Sequence, residues 1–187
     1  MASIEAPIWQ TLEDYLAEET NRPIRREYWG GAIFQTDQED SQHSTIVQNL
    51  FSALQQPVKR KSLNIFASDM KLQVHVGESK LIYYPDILIT NEQFDSDPSY
   101  RCQPQVIIEV SSPKTELTDR RSKFLFLRQI ESLQEYILVQ QSKSQITVFR
   151  RENHWQPESL QSPTDNLLIP SLAFNLPLAS VYERATS

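Results

Sequence analysis

The sequence predicts an α/β fold of the mixed α+β kind, a mixed β-sheet flanked by helices, and three observations carry that prediction. Apolar residues recur at helical spacing in two long segments. Around these lie runs of strand length that either alternate apolar with polar residues or are apolar throughout. No internal repeat, low-complexity tract or Pro/Gly/Ser-rich linker divides the 187 residues, so a single domain over 1–187 is expected.

Taken in order, Thr11 is placed to cap a short helix through Glu19, with Leu12, Tyr15 and Leu16 on one face. REYWGGAIFQ has two extended pieces about Gly30-Gly31 and reads as an N-terminal hairpin. From Ser41 to Lys61, the positions of Ile46, Val47, Leu50, Phe51 and Leu54 mark an amphipathic helix expected to end near Pro57. LNIFAS is a short strand. MKLQVHV then alternates, with Met70, Leu72, Val74 and Val76 on one face, and Gly77 turns the chain back into LIYYPDILIT, Leu81 to Thr90. After a polar loop, QVIIEVS has the continuous apolar character of a central strand. A second helix is expected from Thr118 to Ser132, with Phe124, Leu125, Leu127 and Ile130 facing inward. EYILVQ and QITVFRR form two more strands. The tail adds a strand at Leu167–Ile169 and a helix near Leu178–Arg184.

Composition removes several function classes. Hydrophobic residues at 39% and charged residues at 22% are ordinary globular values, which argues against disorder. No apolar run approaches the roughly 18 residues that span a bilayer. The segment MASIEAPIWQTLEDYLAEE lacks the basic-then-apolar order of a secretory signal, so a cytoplasmic protein without membrane contact is expected. Cys102 is the single cysteine, which excludes an internal disulfide and a cysteine-based zinc site. With three glycines, at 30, 31 and 77, neither a P-loop nor a GxGxxG loop can be built. The net charge of −6 repels polyanions, so nucleic-acid contact requires a local basic face. Lys59–Lys61, Arg120-Arg121 with Lys123 and Arg128, and Arg150-Arg151 are the clusters that could supply one.

Two carboxylates stand out because each interrupts an apolar strand. Strand parity puts Asp86, Leu88 and Thr90 on one face of LIYYPDILIT, and Ile107, Glu109 and Ser111 on one face of QVIIEVS. An unpaired buried carboxylate is costly, and two that converge repel unless one is protonated or a cation lies between them. If the strands are neighbours, Asp86 and Glu109 meet, and a divalent metal accounts for both. Mg²⁺ typically takes one or two carboxylates, waters and substrate phosphate oxygens. Taken singly, either acid is better explained structurally, Asp86 as a turn cap and Glu109 as an arginine's partner.

A PD dipeptide followed by a strand carrying E-V-x-S resembles the PD-(D/E)XK restriction-endonuclease-like fold. The longer series, REYWGG, the His43 helix, SDMKLQV, YYPDILIT, IIEVSSPKTELTDRRSKF, SLQEYILV and SLAFNLPLASVYE, is similar to the Uma-type bacterial endonucleases within it. That resemblance covers nearly the whole chain. It implies a restriction-endonuclease-like mixed sheet, with the N-terminal hairpin and C-terminal strands as additions. It further implies Mg²⁺ (or Mn²⁺) held by Asp86 and Glu109, with the Val110 carbonyl as a third contact. The motif's usual lysine falls at Ser111, and the resemblance assigns the part to Lys123 in the following helix, with Lys114 and Lys71 as fallbacks. Glu27, His43, Asp69 and Asp119 match family positions; Glu27, His43 and Ser111 are the accessory candidates, and Asp119 is spaced to pair with Lys123. Gly30-Gly31-Ala32 departs from the family's Asp-Gly-Glu, removing two acids expected at the mouth of the site.

The expected activity is hydrolysis of phosphodiester bonds in nucleic acid, with DNA as substrate, and a homodimer that doubles the basic surface is expected to strengthen the grip. Two rivals remain at this level. A nuclease-like fold that binds nucleic acid or protein without cutting would account for the net acidity. A glycosidase using the same carboxylate pair ranks last, since only Trp29, Tyr83 and Tyr84 could form its sugar platform.

Overall fold

A computed structural model describes residues 8–20, 22–36, 39–91, 93, 95, 97–112 and 123–185. The elements run β1 (Ile8–Trp9), α1 (Leu12–Glu19), β2 (Arg26–Trp29), β3 (Ala32–Gln35), α2 (Ser41–Arg60), β4 (Asn64–Ala67), β5 (Lys71–Val76), β6 (Ser79–Tyr83), β7 (Ile87–Thr90), β8 (Tyr100–Arg101) and β9 (Pro104–Ser111). There follow α3 (Phe124–Leu127), β10 (Glu135–Gln140), β11 (Gln145–Arg150), β12 (Pro157–Leu160), β13 (Asn166–Ile169), β14 (Phe174–Pro177) and α4 (Leu178–Val181).

The strands form two six-stranded sheets and a small hairpin, where the sequence suggested one sheet. One sheet has the order β1-β3-β2-β6-β5-β8, the other β12-β11-β10-β9-β7-β4, and β13 pairs with β14. The break that separates the sheets lies inside LIYYPDILIT, which is two strands rather than one. Pro85 has no N–H to give a ladder and stops the pairing. The chain leaves the first sheet at Tyr83 and enters the second at Ile87. Asp86 therefore sits at the crossover just before β7, not in the middle of a strand.

The layers follow from side-chain parity. On one face of the second sheet, α2 lays Ile46, Val47, Leu50, Leu54 and Val58 against Ile87, Ile89, Val106, Ile108 and Val110. On the opposite face, Leu88, Ile107 and Leu138 pack against Leu72, Val74, Leu81 and Tyr83 of the first sheet, with Phe124 and Leu127 of α3. Tyr15 of α1 joins Tyr28, Ile33 and Ile82 in a third cluster. Each fully buried aliphatic side chain of α2 contributes about 1.5–3 kcal/mol relative to exposure.

Helix α2 begins at an Asp40 cap whose side chain accepts the His43 N–H, and it continues through Pro57 to Arg60. Proline does not stop it as expected, because Pro57 and Val58 are themselves buried. The apolar contact offsets the lost intrahelical hydrogen bond, which costs about 3 kcal/mol. The second expected helix is described from Phe124 to Leu127 and the C-terminal one from Leu178 to Val181. Residues 113–122, including Lys114, Asp119, Arg120 and Arg121, lie outside the described residues.

Candidate metal centre and lysine pocket

Asp86 is anchored from several sides. Its carbonyl accepts the Ser68 N–H at 2.9 Å, which ties the β4–β5 connection to the crossover. Its Oδ2 accepts the Val110 N–H at 2.6 Å and lies 3.2 Å from His43 Nε2. His43 comes from the first turn of α2, and its Nδ1 lies 3.5 Å from Glu39 Oε2. Glu39, His43 and Asp86 thus bring one ligand atom each within 4.8 Å of one another. Sequence reasoning singled out His43 and Asp86 but missed Glu39. The available signal was its spacing: Glu39 stands four residues before His43, next to the helix cap.

The electrostatics of this cluster are those of crowded, half-shielded charges. Burial works against a charge on His43, but the hydrogen bond and charge of Asp86, joined by Glu39 and Asp40, outweigh it and raise the imidazole above its ordinary value. Burial also raises the Glu39 carboxyl; His43 opposes the rise and Asp86 adds to it. The Asp40 carboxylate is held below its usual range by the His43 backbone N–H and the Gln141 amide. Gln141 Nε2 donates to Asp40 Oδ2 at 2.7 Å, and the Gln141 N–H donates to the Ser111 carbonyl at 3.1 Å. The start of α2 is in this way fastened to the ends of β9 and β10.

Strands β7 and β9 are antiparallel neighbours with Ile87 opposite Ile108, so continuing the register by one residue sets Asp86 beside Glu109. Glu109 is buried at 6% exposure and is not a member of the Glu39–His43–Asp86 cluster. Its surroundings are read from Tyr83. Burial raises the Tyr83 hydroxyl well above its ordinary value; Glu27 and Glu109 add to this and Lys123 opposes it. Tyr83 is therefore common to Glu27, Lys123 and Glu109.

Lys123, on the residue before α3, is buried rather than solvated. Its Nζ is 2.8 Å from Glu27 Oε1 and 5.4 Å from the Tyr83 ring centroid. Glu27 is held in turn by the Trp29 indole N–H, which donates to Oε2 at 3.2 Å. Val110 touches Asp86 through its N–H. Ser111 is 3% exposed, and its hydroxyl has no hydrogen-bond partner among the described residues. Sequence-predicted residues thus fall into two groups, His43–Asp86–Val110 and Glu27–Lys123 about Tyr83, with Glu109 following Asp86 in register.

Other expectations are relocated. The Gly30–Gly31 turn is not at the mouth of this site: its Gly30 N–H donates to the Lys80 carbonyl, several strand positions from Asp86. Lys59–Lys61 closes the far end of α2, about 24 Å along the helix from His43 at about 1.5 Å per residue. Arg150 serves Glu158 and the Leu168 carbonyl, and Arg151 serves the Leu133 and Ile130 carbonyls. Those two arginines are structural ties.

Residues 11–179 match the profile of the Uma2 family, described as "Putative restriction endonuclease". Two uncharacterized proteins of Synechocystis sp. (strain ATCC 27184 / PCC 6803 / Kazusa) are similar. One, sll1609, is 31% identical over 134 residues, 70% of this chain and 75% of its own. The other, slr1290, is 25% identical over 173 residues, 91% of this chain and 90% of its own. The fold is also that of the crystal structure of "a putative nuclease belonging to DUF820" from Anabaena variabilis ATCC 29413. The TM-score is 0.72 at 20% identity, over 91% of this chain and 98% of the other.

Proposed function

Because the chain belongs to the Uma2 family, a family of nuclease-like proteins, we propose that it is a metal-dependent endonuclease hydrolysing phosphodiester bonds of nucleic acid, with DNA as its substrate. The observation that carries the reading is the position of Asp86. A buried carboxylate stands at the crossover between two sheets, close to His43 in the first turn of α2 and to Glu39 just before the helix cap, and adjoining Glu109.

The donor set suits a divalent cation. Glu39 and Asp86 supply carboxylate oxygens and His43 an imidazole nitrogen, within the reach of one ion. Oxygen donors suit Mg²⁺ and Mn²⁺, and the imidazole tilts the preference toward Mn²⁺. Asp86 and Glu109 would hold the ion as the motif implies, with Glu39 and His43 as the further donors that the geometry adds. When bound, such an ion polarises the phosphoryl oxygen and makes the attacking water more acidic.

The remaining chemistry belongs to the chain. Glu27 and the Tyr83 ring fix the Lys123 ammonium, which supplies a positive charge toward the phosphate as negative charge develops. The Val110 N–H and His43 hold the Asp86 carboxylate in place. A homodimer belongs to the proposal as the means of enlarging the basic surface of an acidic chain.

The test is cleavage of supercoiled plasmid in Mg²⁺ or Mn²⁺, with EDTA controls, by the wild type and by Asp86→Asn and Glu109→Gln. Loss of cutting in both folded variants and in EDTA is expected. Wild-type-like cutting by both variants, or cutting that persists in EDTA, overturns the proposal. DNA binding without cutting under any metal would favour the non-catalytic rival.

A further inference from the structure

Beside the acidic cluster, the first sheet ends in two cations arranged about one aromatic ring. Tyr84 follows β6 and directly precedes Pro85-Asp86. Its flanking strands are β2 and β5, and Leu72 pairs with Tyr83, so the register continues to put Lys71 beside Tyr84. Lys71 Nζ lies 5.5 Å from the Tyr84 ring centroid, and the Arg25 guanidinium, from just before β2, lies 5.8 Å from it.

Tyr84 is a fixed platform. Its hydroxyl donates to Glu19 Oε1 at 3.2 Å. That carboxylate is itself tied to Arg26, whose Nε is 2.9 Å from Oε2.

The two cations are available to an anion. Among the described residues Lys71 forms no ion pair with a carboxylate. Arg25 is paired with Asp69, whose side chain is 84% exposed, and a pair that open to water is weak and displaceable. Both stand about the ring of Tyr84, two residues before Asp86 in the chain.

We propose that Arg25 and Lys71, held about the Tyr84 ring, form a subsite for a backbone phosphate of the nucleic-acid substrate, adjoining the one to be cut. The assignment deepens the nuclease reading and rests on it for the identity of the anion. It also answers the charge problem of an acidic chain, since the two cations converge at the Asp86 end of the sheet while Lys59–Lys61 lies at the far end of α2. A guanidinium presents a planar fork to phosphate oxygens and an ammonium a compact point charge, so together they position a phosphate without reading a base. This subsite contributes affinity and register and no sequence preference.

The test is fluorescence anisotropy of a labelled 20-base-pair DNA duplex with the full chain, in Ca²⁺, over a range of KCl concentrations. Arg25→Gln and Lys71→Gln are each expected to weaken binding by about three- to tenfold at low salt. Each should also make the slope of log affinity against log salt shallower by about one, the signature of a lost phosphate contact. Lys59→Gln should leave the slope unchanged. Unchanged slopes in both the Arg25 and Lys71 variants overturn the subsite, as does a wild type that binds no DNA. A wild type that cuts DNA while those slopes stay unchanged removes the subsite and leaves the nuclease reading standing. Slopes that depend on Arg25 and Lys71, in a wild type that never cuts with Mg²⁺ or Mn²⁺, support the subsite and remove the nuclease reading.

Discussion

Replacing Asp86 by asparagine and by alanine separates its structural contacts from the catalytic part proposed for it. Oδ2 accepts the Val110 N–H at 2.6 Å and approaches His43 Nε2 at 3.2 Å, and the residue is 7% exposed. A hydrogen bond to a charged group contributes about 1.5–3 kcal/mol and a neutral one about 0.5–1.5. Asparagine has the same shape and keeps an oxygen for Val110, so Asp86→Asn should cost about 1–3 kcal/mol. Alanine leaves the Val110 N–H and the His43 ring nitrogen without a partner, at about 1–3 kcal/mol each. That total approaches half of the roughly 5–15 kcal/mol that holds a domain together. Urea unfolding followed by tryptophan fluorescence measures both costs. Under conditions where Asp86→Asn is fully folded, its plasmid cleavage should fall at least about a hundredfold, the scale on which a single preorganised group acts. If Asp86→Ala is no less stable than Asp86→Asn, the carboxylate does not hold Val110 and His43 as described. If Asp86→Asn cuts at the wild-type rate, the catalytic assignment is wrong.

Three further outcomes follow from other parts of the molecule. Glu135 is 3% exposed, and burial, more than its Ser171 and Arg150 contacts can offset, raises its carboxyl above the ordinary value. A raised acid gives stability that is fully present below its unfolded value and is lost as pH rises through its folded one. Glu135→Gln should therefore gain stability relative to wild type between pH 4 and pH 7 in urea titrations, and an equal difference at both pH values would contradict the burial argument. Gly31 has φ +111°, and an added Cβ would lie 3.1 Å from the Trp9 ring, whereas at Gly77, with φ +58°, it would meet nothing within 4 Å. Gly31→Ala should lower the melting temperature more than Gly77→Ala, and the reverse order would show that the Trp9 contact yields freely. Burial, joined by the charges of Asp95 and Asp97, pushes the Cys102 thiol up to about 11. Alkylation by iodoacetamide should be slow at pH 8 and rise about tenfold per pH unit toward pH 10, because the thiolate is the reacting form.

Much of the architecture is local and could be read from the chain. The period of Ile46, Leu50 and Leu54 makes α2 amphipathic whatever it packs against, and all three are fully buried. The alternation of Met70, Leu72, Val74 and Val76 sends one face of β5 into the core between the sheets. Two carboxylates in apolar runs marked Asp86 and Glu109, because a buried charge is anomalous in any fold, and the β7–β9 register, continued by one residue to the crossover, sets Asp86 beside Glu109. The resemblance to the Uma-type endonucleases pointed to the family that the chain belongs to.

What the chain could not disclose depends on long-range placement. That LIYYPDILIT splits at Pro85 between two sheets depends on which strands are available to pair on either side of the break. Glu39 is an ordinary acid before a helix until α2 docks and brings it to His43 and Asp86. Lys123 has the composition of a surface residue, and only the packing of α3 under the first sheet buries it against Glu27 and Tyr83. Arg25 and Lys71 stand 46 positions apart along the chain and meet at Tyr84 through strand order alone. Periodicity and charge report what each residue will tolerate; which charges become neighbours is decided when hydrophobic burial closes the layers.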